Sequence, residues 1–238
     1  MDTFLKKHRK LSKRDIHVWK FDVGTAGEDV SVYEKLLSKG EKERASKFKF
    51  TEDRERFLWG RIQLKRLLGA YLDKDPDTII LNFTSNGKPI LENKKDQHLQ
   101  FNISHSGDFI ILGFSRSPIG VDVEKISRRV DVDRISRNYF SDNESKMIET
   151  VLEDTREIMF YDIWTKKEAV IKGIGKGFGI PLKSFSVLDS NGHVKWKPNT
   201  NAASLNWFVH SIDVIRGYKA AFATPIEDLE VSTFSLAE

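Results

Sequence analysis

Three short segments carry side chains whose types and spacing can do chemistry. The first is Ile119-Gly120-Val121-Asp122-Val123-Glu124. Successive residues of a strand point to opposite faces, so Asp122 and Glu124 project together while Val121 and Val123 turn toward a core. Two carboxylates side by side repel each other unless a cation lies between them. An oxygen-only set suits Mg²⁺, which takes a few carboxylates together with phosphate oxygens and water. Taken alone, an alternating D-x-E strand is more often a solvated face. The second segment runs from Trp164 to Lys172. On a helix Trp164, Glu168 and Lys172 lie four apart and share one face. Glu168 then adds a third carboxylate to the strand pair, and Lys172 offers a positive charge to a leaving phosphate. The competing reading is a surface Glu–Lys pair, contributing about 0.2–0.5 kcal/mol; a tryptophan on the same stripe argues for a packed face.

The third segment, Asn102-Ile103-Ser104-His105-Ser106, is a strand end running into a turn. Ser104 and His105 are neighbours in an extended chain and point apart, and no G-x-S-x-G elbow is present, so a hydrolase triad does not fit. Two readings stay open: a phosphate site built from the Ser104 hydroxyl and the His105 ring, or a turn held by serine hydroxyls. The glycine loop Gly173–Gly179 follows a helix instead of leading into one, and Gly175-Lys176 is followed by Gly177, so it is not a P-loop. The six histidines show no pair at metal-ligand spacing on a helix, which argues against zinc.

These segments need elements to hold them. Ser38 with Glu41, and Ser141 with Glu144, read as capping boxes opening helices. The first of these helices runs through Phe48. A longer helix starts at Thr51 and stops at Asp75-Pro76, its buried stripe formed by Leu58, Ile62, Leu64, Leu68 and Tyr71. Asp154 caps another, ending near Lys172 with Gly173 beyond it. Strands are expected at 17–23, 78–83, 99–103, 109–114 and 119–124, then at 184–188, 207–213 and 218–223, with Asn86-Gly87 and Ser190-Asn191-Gly192 as turns. Both halves read as helices followed by an antiparallel sheet, with no residue-level repeat between them. The expected class is α+β in two similar lobes, 1–117 and 118–238.

Composition sets the outer limits. The chain's 238 residues, 39% of them hydrophobic, suffice for one large domain or two small ones. No apolar run approaches the ~18 residues of a membrane span, and the N-terminus lacks the apolar stretch of a signal peptide. There is no cysteine, hence no disulfide, thiolate metal site or cysteine nucleophile. These features point to the cytoplasm. The net charge of +4 favours anionic partners. Six of the first fourteen residues are basic, a run that reads as a solvated tail; without it the body is near neutral, which argues against nucleic acid.

In this order and spacing, the three segments resemble the 4′-phosphopantetheinyl transferase superfamily, in its surfactin-synthetase-activating type. The I/V-G-x-D-x-E signature is similar to Ile119–Glu124, and W/F-S/T-x-K-E-A/S-x-x-K matches Trp164–Lys172 without a gap. The Asn102–Ser106 segment, the Gly87-Lys88-Pro89 turn and the stretch from Ser38 to Leu68 also resemble the family, so recognisable pieces span residues 36–188. The resemblance implies two lobes related by a pseudo-twofold, with coenzyme A in the cleft between them. It implies Asp122, Glu124 and Glu168 as Mg²⁺ ligands, with Mn²⁺ as the alternative ion. Ser104 and His105 would hold nucleotide phosphates, Lys88 would lie near the adenosine, and Lys172 at the pyrophosphate. By the same resemblance Arg44 and Arg56 would be the basic coenzyme A contacts of the helical stretch; where relatives place a basic residue before Arg44, this chain has Glu41 and Lys42. The implied reaction joins a carrier-protein serine to phosphopantetheine, with Glu168 as base and Lys172 and His105 offsetting charge on departing 3′,5′-ADP. The implied partner is an acidic apo acyl or peptidyl carrier, with no nucleic acid or membrane, and the implied protein is a monomer. The rival readings are a Mg²⁺-dependent phosphohydrolase or nuclease, and a basic nucleic-acid-binding module.

Overall fold

Side-chain alternation in β1 (Asp15–Asp22) already defines the layers: Ile16 and Val18 face one side of the strand, Trp19 and Phe21 the other. The computed structural model describes residues 10–25, 29–175, 179–197, 206–214 and 216–236. Its architecture is α+β. After the hairpin β2 (Leu81–Phe83) and β3 (Pro89–Leu91) come β4 (Gln100–Ser106), β5 (Phe109–Ser115) and β6 (Gly120–Lys125). The short pair β7 (Phe185–Ser186) and β8 (Lys195–Trp196) precedes β9 (Phe208–Ser211), β10 (Tyr218–Thr224) and β11 (Glu230–Ser235). One sheet has the order β11-β1-β5-β4 and another the order β6-β10-β9.

Ile16, Val18, Ile111, Val121, Val123 and Phe222 form a core shared by the two sheets. The outer face of the first sheet, with Ile110, Leu112 and Phe114, is covered by the helix α2 (Thr51–Leu72), which follows the short α1 (Lys39–Ala45). In the second half, α3 (Val132–Tyr139) and α4 (Asp142–Thr150) lead to α5 (Arg156–Ile174), which packs on β6 and β10. Each fully buried Leu, Ile, Val or Phe in these layers contributes roughly 1.5–3 kcal/mol. Among the described residues no helix is long and apolar enough to cross a membrane.

Both expected capping boxes form, and each continues into the same buried device. Glu41 accepts from Ser38 and meets Lys65 of α2 at 3.2 Å, while Lys65 Nζ donates to Leu36 O at 2.6 Å. Glu144 accepts from Ser141 and meets Lys167 of α5 at 2.8 Å, while Lys167 Nζ donates to Leu182 O and Phe185 O. Burial lowers the Lys167 pKa to about 8 despite its Glu144 partner. A charge with so little water around it needs all these partners, so each pair fixes a short helix against a long one. The halves therefore share this device, although only its capping boxes are visible in the linear sequence.

Several expected boundaries move. Helix α1 stops at Ala45, not Phe48, and α2 ends at Leu72 because Asp73 turns left-handed, φ 56°, three residues before Pro76. Residues 76–78 form a 3-10 turn, so the expected strand at 78–83 shrinks to β2. Helix α5 begins at Arg156 after a 3-10 turn containing Asp154, with no side-chain cap. Its C-terminal residue in left-handed conformation is Gly175, φ 75°, so Gly173 lies inside the helix. The last strand, β11, pairs in parallel with β1, a return to the first sheet that the expected division at 117/118 does not include. Residues 176–178 of the glycine loop and the first nine residues of the basic tail lie outside the described residues.

Candidate active site

The two sheets meet where β4 runs beside β6, and side chains knit the seam. Asn102 Oδ1 accepts the Val121 N–H at 2.9 Å, Ser104 Oγ accepts the Val123 N–H at 3.3 Å, and Ser106 Oγ accepts the Lys125 N–H at 3.1 Å. Alternate residues of β4 thus serve alternate backbone donors of β6. The two hydroxyls also donate onward: Ser104 to Asp122 Oδ1 at 2.9 Å and Ser106 to Glu124 Oε2 at 2.7 Å. The segment read either as a phosphate site or as a turn is foremost a register device for the strand acids. Asn102 and Ser106 were not among the expected site residues; the signal was the period-two run of hydrogen-bonding side chains at 102, 104 and 106.

Asp122 and Glu124 lie on the face of β6 opposite Val121 and Val123, as the alternation predicts, and that face meets α5. The approach is close. A Cβ built on Gly120 would lie 1.9 Å from Ala169 O and 2.3 Å from Gly173 N, so only glycine permits this packing. On α5, Lys172 Nζ reaches Asp122 Oδ1 at 2.6 Å and Ser104 Oγ at 2.9 Å. Glu168, one turn earlier, lines with Lys172 a cleft of about 270 Å³ whose other wall includes Lys88, Pro89, Asn102 and Ile103. Burial raises the pKa of Asp122 despite the Lys172 charge. Burial, then the Asp122 charge, raises those of Glu124 and Glu168, and Glu124 adds to the effect on Glu168. The three acids therefore feel one another.

Whether they suit a divalent cation is a question of donors. Among the described residues no three His, Asp or Glu side chains gather closely enough to hold a metal ion. Asp122 Oδ1 is engaged by Lys172 and Ser104, and Glu124 Oε2 by Ser106. Asp122 Oδ2, however, is buried without a hydrogen-bond partner among the described residues. An orphaned carboxylate oxygen beside two further acids fits a hard cation in donor chemistry, although the shell is not closed.

The remaining expected residues separate. His105 alternates outward from the seam and is exposed; desolvation by the neighbouring protein and the charges of Arg56 and Lys172 lower its pKa to about 4. Arg56 pairs with Asp53 and donates to Gly107 O at 2.6 Å, which places it at the β4–β5 turn beside His105. Arg44 stacks over Phe57 at 5.2 Å and lines a different cavity, of about 440 Å³, between α1 and β2. Glu41 also lines it, held by Lys65. Lys88 reaches the cleft with its stem, but its ammonium binds the backbone carbonyls of Ile119, Lys172 and Gly173.

The chain is similar to known proteins over most of its length. Residues 25–116 match the family described as 4′-phosphopantetheinyl transferase, N-terminal, and residues 118–223 match the 4′-phosphopantetheinyl transferase superfamily. The chain is 32% identical over 188 residues to 4′-phosphopantetheinyl transferase Sfp of Bacillus subtilis (strain 168), covering 78% of this chain and 81% of that protein. It is 30% identical over 170 residues to 4′-phosphopantetheinyl transferase HetI of Nostoc sp. (strain PCC 7120), covering 70% of this chain and 71% of that one. With its acidic strand, its Glu-Lys helix face and the serine seam between them, the chain belongs to the 4′-phosphopantetheinyl transferase superfamily.

Proposed function

We propose that this chain transfers the 4′-phosphopantetheine arm of coenzyme A to a serine of an apo acyl or peptidyl carrier protein, releasing 3′,5′-ADP. The observation that carries the proposal is the position of Glu168 and Lys172 one turn apart on a cleft wall, with Lys172 reaching both Asp122 and Ser104 at the seam. The serine oxygen attacks the β-phosphorus in line, forming a new O–P bond as the bond from that phosphorus to the bridging oxygen of the diphosphate breaks. The electron pair of the broken bond leaves with 3′,5′-ADP. Glu168 takes the hydroxyl proton; its raised pKa makes it a stronger base than an exposed glutamate, while the neighbouring acids keep it from being buried alone. Lys172 offsets charge on the departing phosphate. His105, neutral at pH 7, offers that end of the site a hydrogen bond, with Arg56 and Arg44 as the nearer and farther cations along the first lobe.

Bound Mg²⁺, or Mn²⁺ in its place, supplies neutralisation and alignment of the pyrophosphate, and Asp122, Glu124 and Glu168 are the residues that would hold it. The proposal includes a monomeric cytoplasmic enzyme of two lobes whose partner is an acidic carrier; the net charge of +4 supports faster encounter with such a partner. Its test is the Glu168→Gln protein, which should keep the wild-type fold by circular dichroism and give no mass gain on an apo carrier supplied with coenzyme A and Mg²⁺. Wild-type modification by that variant removes Glu168 from the mechanism.

A further inference from the structure

The turn between β2 and β3 makes contacts that the proposed reaction does not use. Lys88 Nζ donates to Lys172 O at 3.0 Å, Gly173 O at 3.1 Å and Ile119 O at 3.4 Å. From the same turn, Asn86 Nδ2 donates to Gly175 O at 3.1 Å. Three of these four acceptors are carbonyls of the last turn of α5 or its C-terminal cap. Such carbonyls have no partner further along the helix and carry the negative end of its dipole. An ammonium there satisfies them and joins them to Ile119, the residue just before β6. Burial lowers the Lys88 pKa to about 8, as expected for a cation surrounded by protein. All three ammonium hydrogens have acceptors within the protein, so the group has no donor to spare for a nucleotide phosphate.

The side chain of the residue so gripped matters. Lys172 gives its carbonyl to Lys88 and its ammonium to Asp122 and Ser104. Inward movement of the helix is already barred by the contact of Gly120 with Ala169 and Gly173. The Lys88 bonds act in the opposite sense, against lifting of the last turn away from β6. We propose that Lys88, assisted by Asn86, is a positioning residue: it latches the C-terminal turn of α5 to the head of β6 and so sets the reach of Lys172, in place of the adenosine contact that family resemblance implies. The kinetic consequence rests on the transferase reading; the latch itself does not.

Lys88→Met keeps the stem and removes the charge. With carrier and Mg²⁺ supplied, we expect it to lower kcat by about tenfold while KM for coenzyme A stays within about twofold, since the loss falls on a group acting late in the reaction. Lys88→Arg should recover part of that loss. In a Lys172→Ala background the Lys88→Met change should have little further effect, because residues acting through one another are not additive. Independently of turnover, backbone amides at 172–175 should exchange faster in Lys88→Met, with those at 158–162 unchanged. Asn86→Ala serves the same exchange measurement should Lys88→Met not fold. A raised KM with unchanged kcat, or effects of Lys88→Met and Lys172→Ala that simply multiply, would overturn the proposal in favour of direct nucleotide contact. Unchanged exchange at 172–175 would overturn the latch even if the wild-type protein transfers nothing, an outcome that by itself counts only against the transferase reading.

Discussion

In the protein alone a lysine is the counter-charge of the strand acids: Lys172 lies 2.6 Å from Asp122 Oδ1 with its side chain one-third exposed. A divalent ion approaching Asp122 competes with that ammonium. Lys172→Met should therefore bind Mn²⁺ more tightly than the wild type in an electron paramagnetic resonance titration, while turning over more slowly. Weaker binding would show that Lys172 supports the ion instead of competing with it. The raised pKa values of Asp122, Glu124 and Glu168 set the direction of pH effects. Folding disfavours the charged forms, so these acids cost stability as pH rises through their raised values, and the cost is absent at lower pH. A cation needs the charged forms, so the rise in Tm caused by Mg²⁺ should grow over that same window and shrink on acidification. It should be largely lost in Asp122→Asn. If Mg²⁺ stabilises both proteins equally at every pH, the ion binds elsewhere. Asp122, Glu124, Glu168 and Lys172 were legible because strand and helix periodicities place side chains on faces regardless of tertiary detail. Lys88 was legible as a residue type but its contact was not, since nothing local to a turn reveals that it meets a helix end more than eighty residues later.

The seam of β4 with β6 operates at the next scale up. Two strands that belong to different sheets are aligned by side chains standing in for backbone acceptors, and the same hydroxyls then aim the acids. Ser106→Ala would leave the Lys125 N–H and Glu124 without that partner where water can partly replace it, costing roughly 0.5–1.5 kcal/mol, and should lower turnover more than an alanine at exposed Ser12 does. Gly120→Ala is the harsher test of α5 on β6. Overpacking a tight contact costs typically about 1–3 kcal/mol, and with backbone at 1.9 Å the effect should reach at least that range in urea unfolding. A neutral Gly120→Ala would mean that helix and strand are not in contact as described. Gly173 shows why a helix end was misjudged: a glycine near the end of a helical pattern normally marks its cap, but here Trp207 covers the place a side chain would fill, and the chain turns only at Gly175.

For the molecule as a whole, two sheets share a core, and a helix covers the outer face of each. Period and capping signals revealed most of these elements and their class. The return of β11 to β1 was invisible because a parallel partner need not be near in sequence, and its mostly exposed residues, with only Phe234 partly buried, advertise little of a core face. The paired Lys–Glu latches were invisible for a related reason: Glu41 with Lys65, and Glu144 with Lys167, are over twenty residues apart and belong to no short motif. What this assembly is claimed to do is couple cleavage of coenzyme A to modification of a second protein. The most direct test is to count 3′,5′-ADP released by the wild-type protein with coenzyme A and Mg²⁺, with and without an apo carrier. Release should be matched by mass gain on the carrier, molecule for molecule, and should be absent when the carrier is left out; steady release without a carrier would make water the nucleophile and rule out transfer.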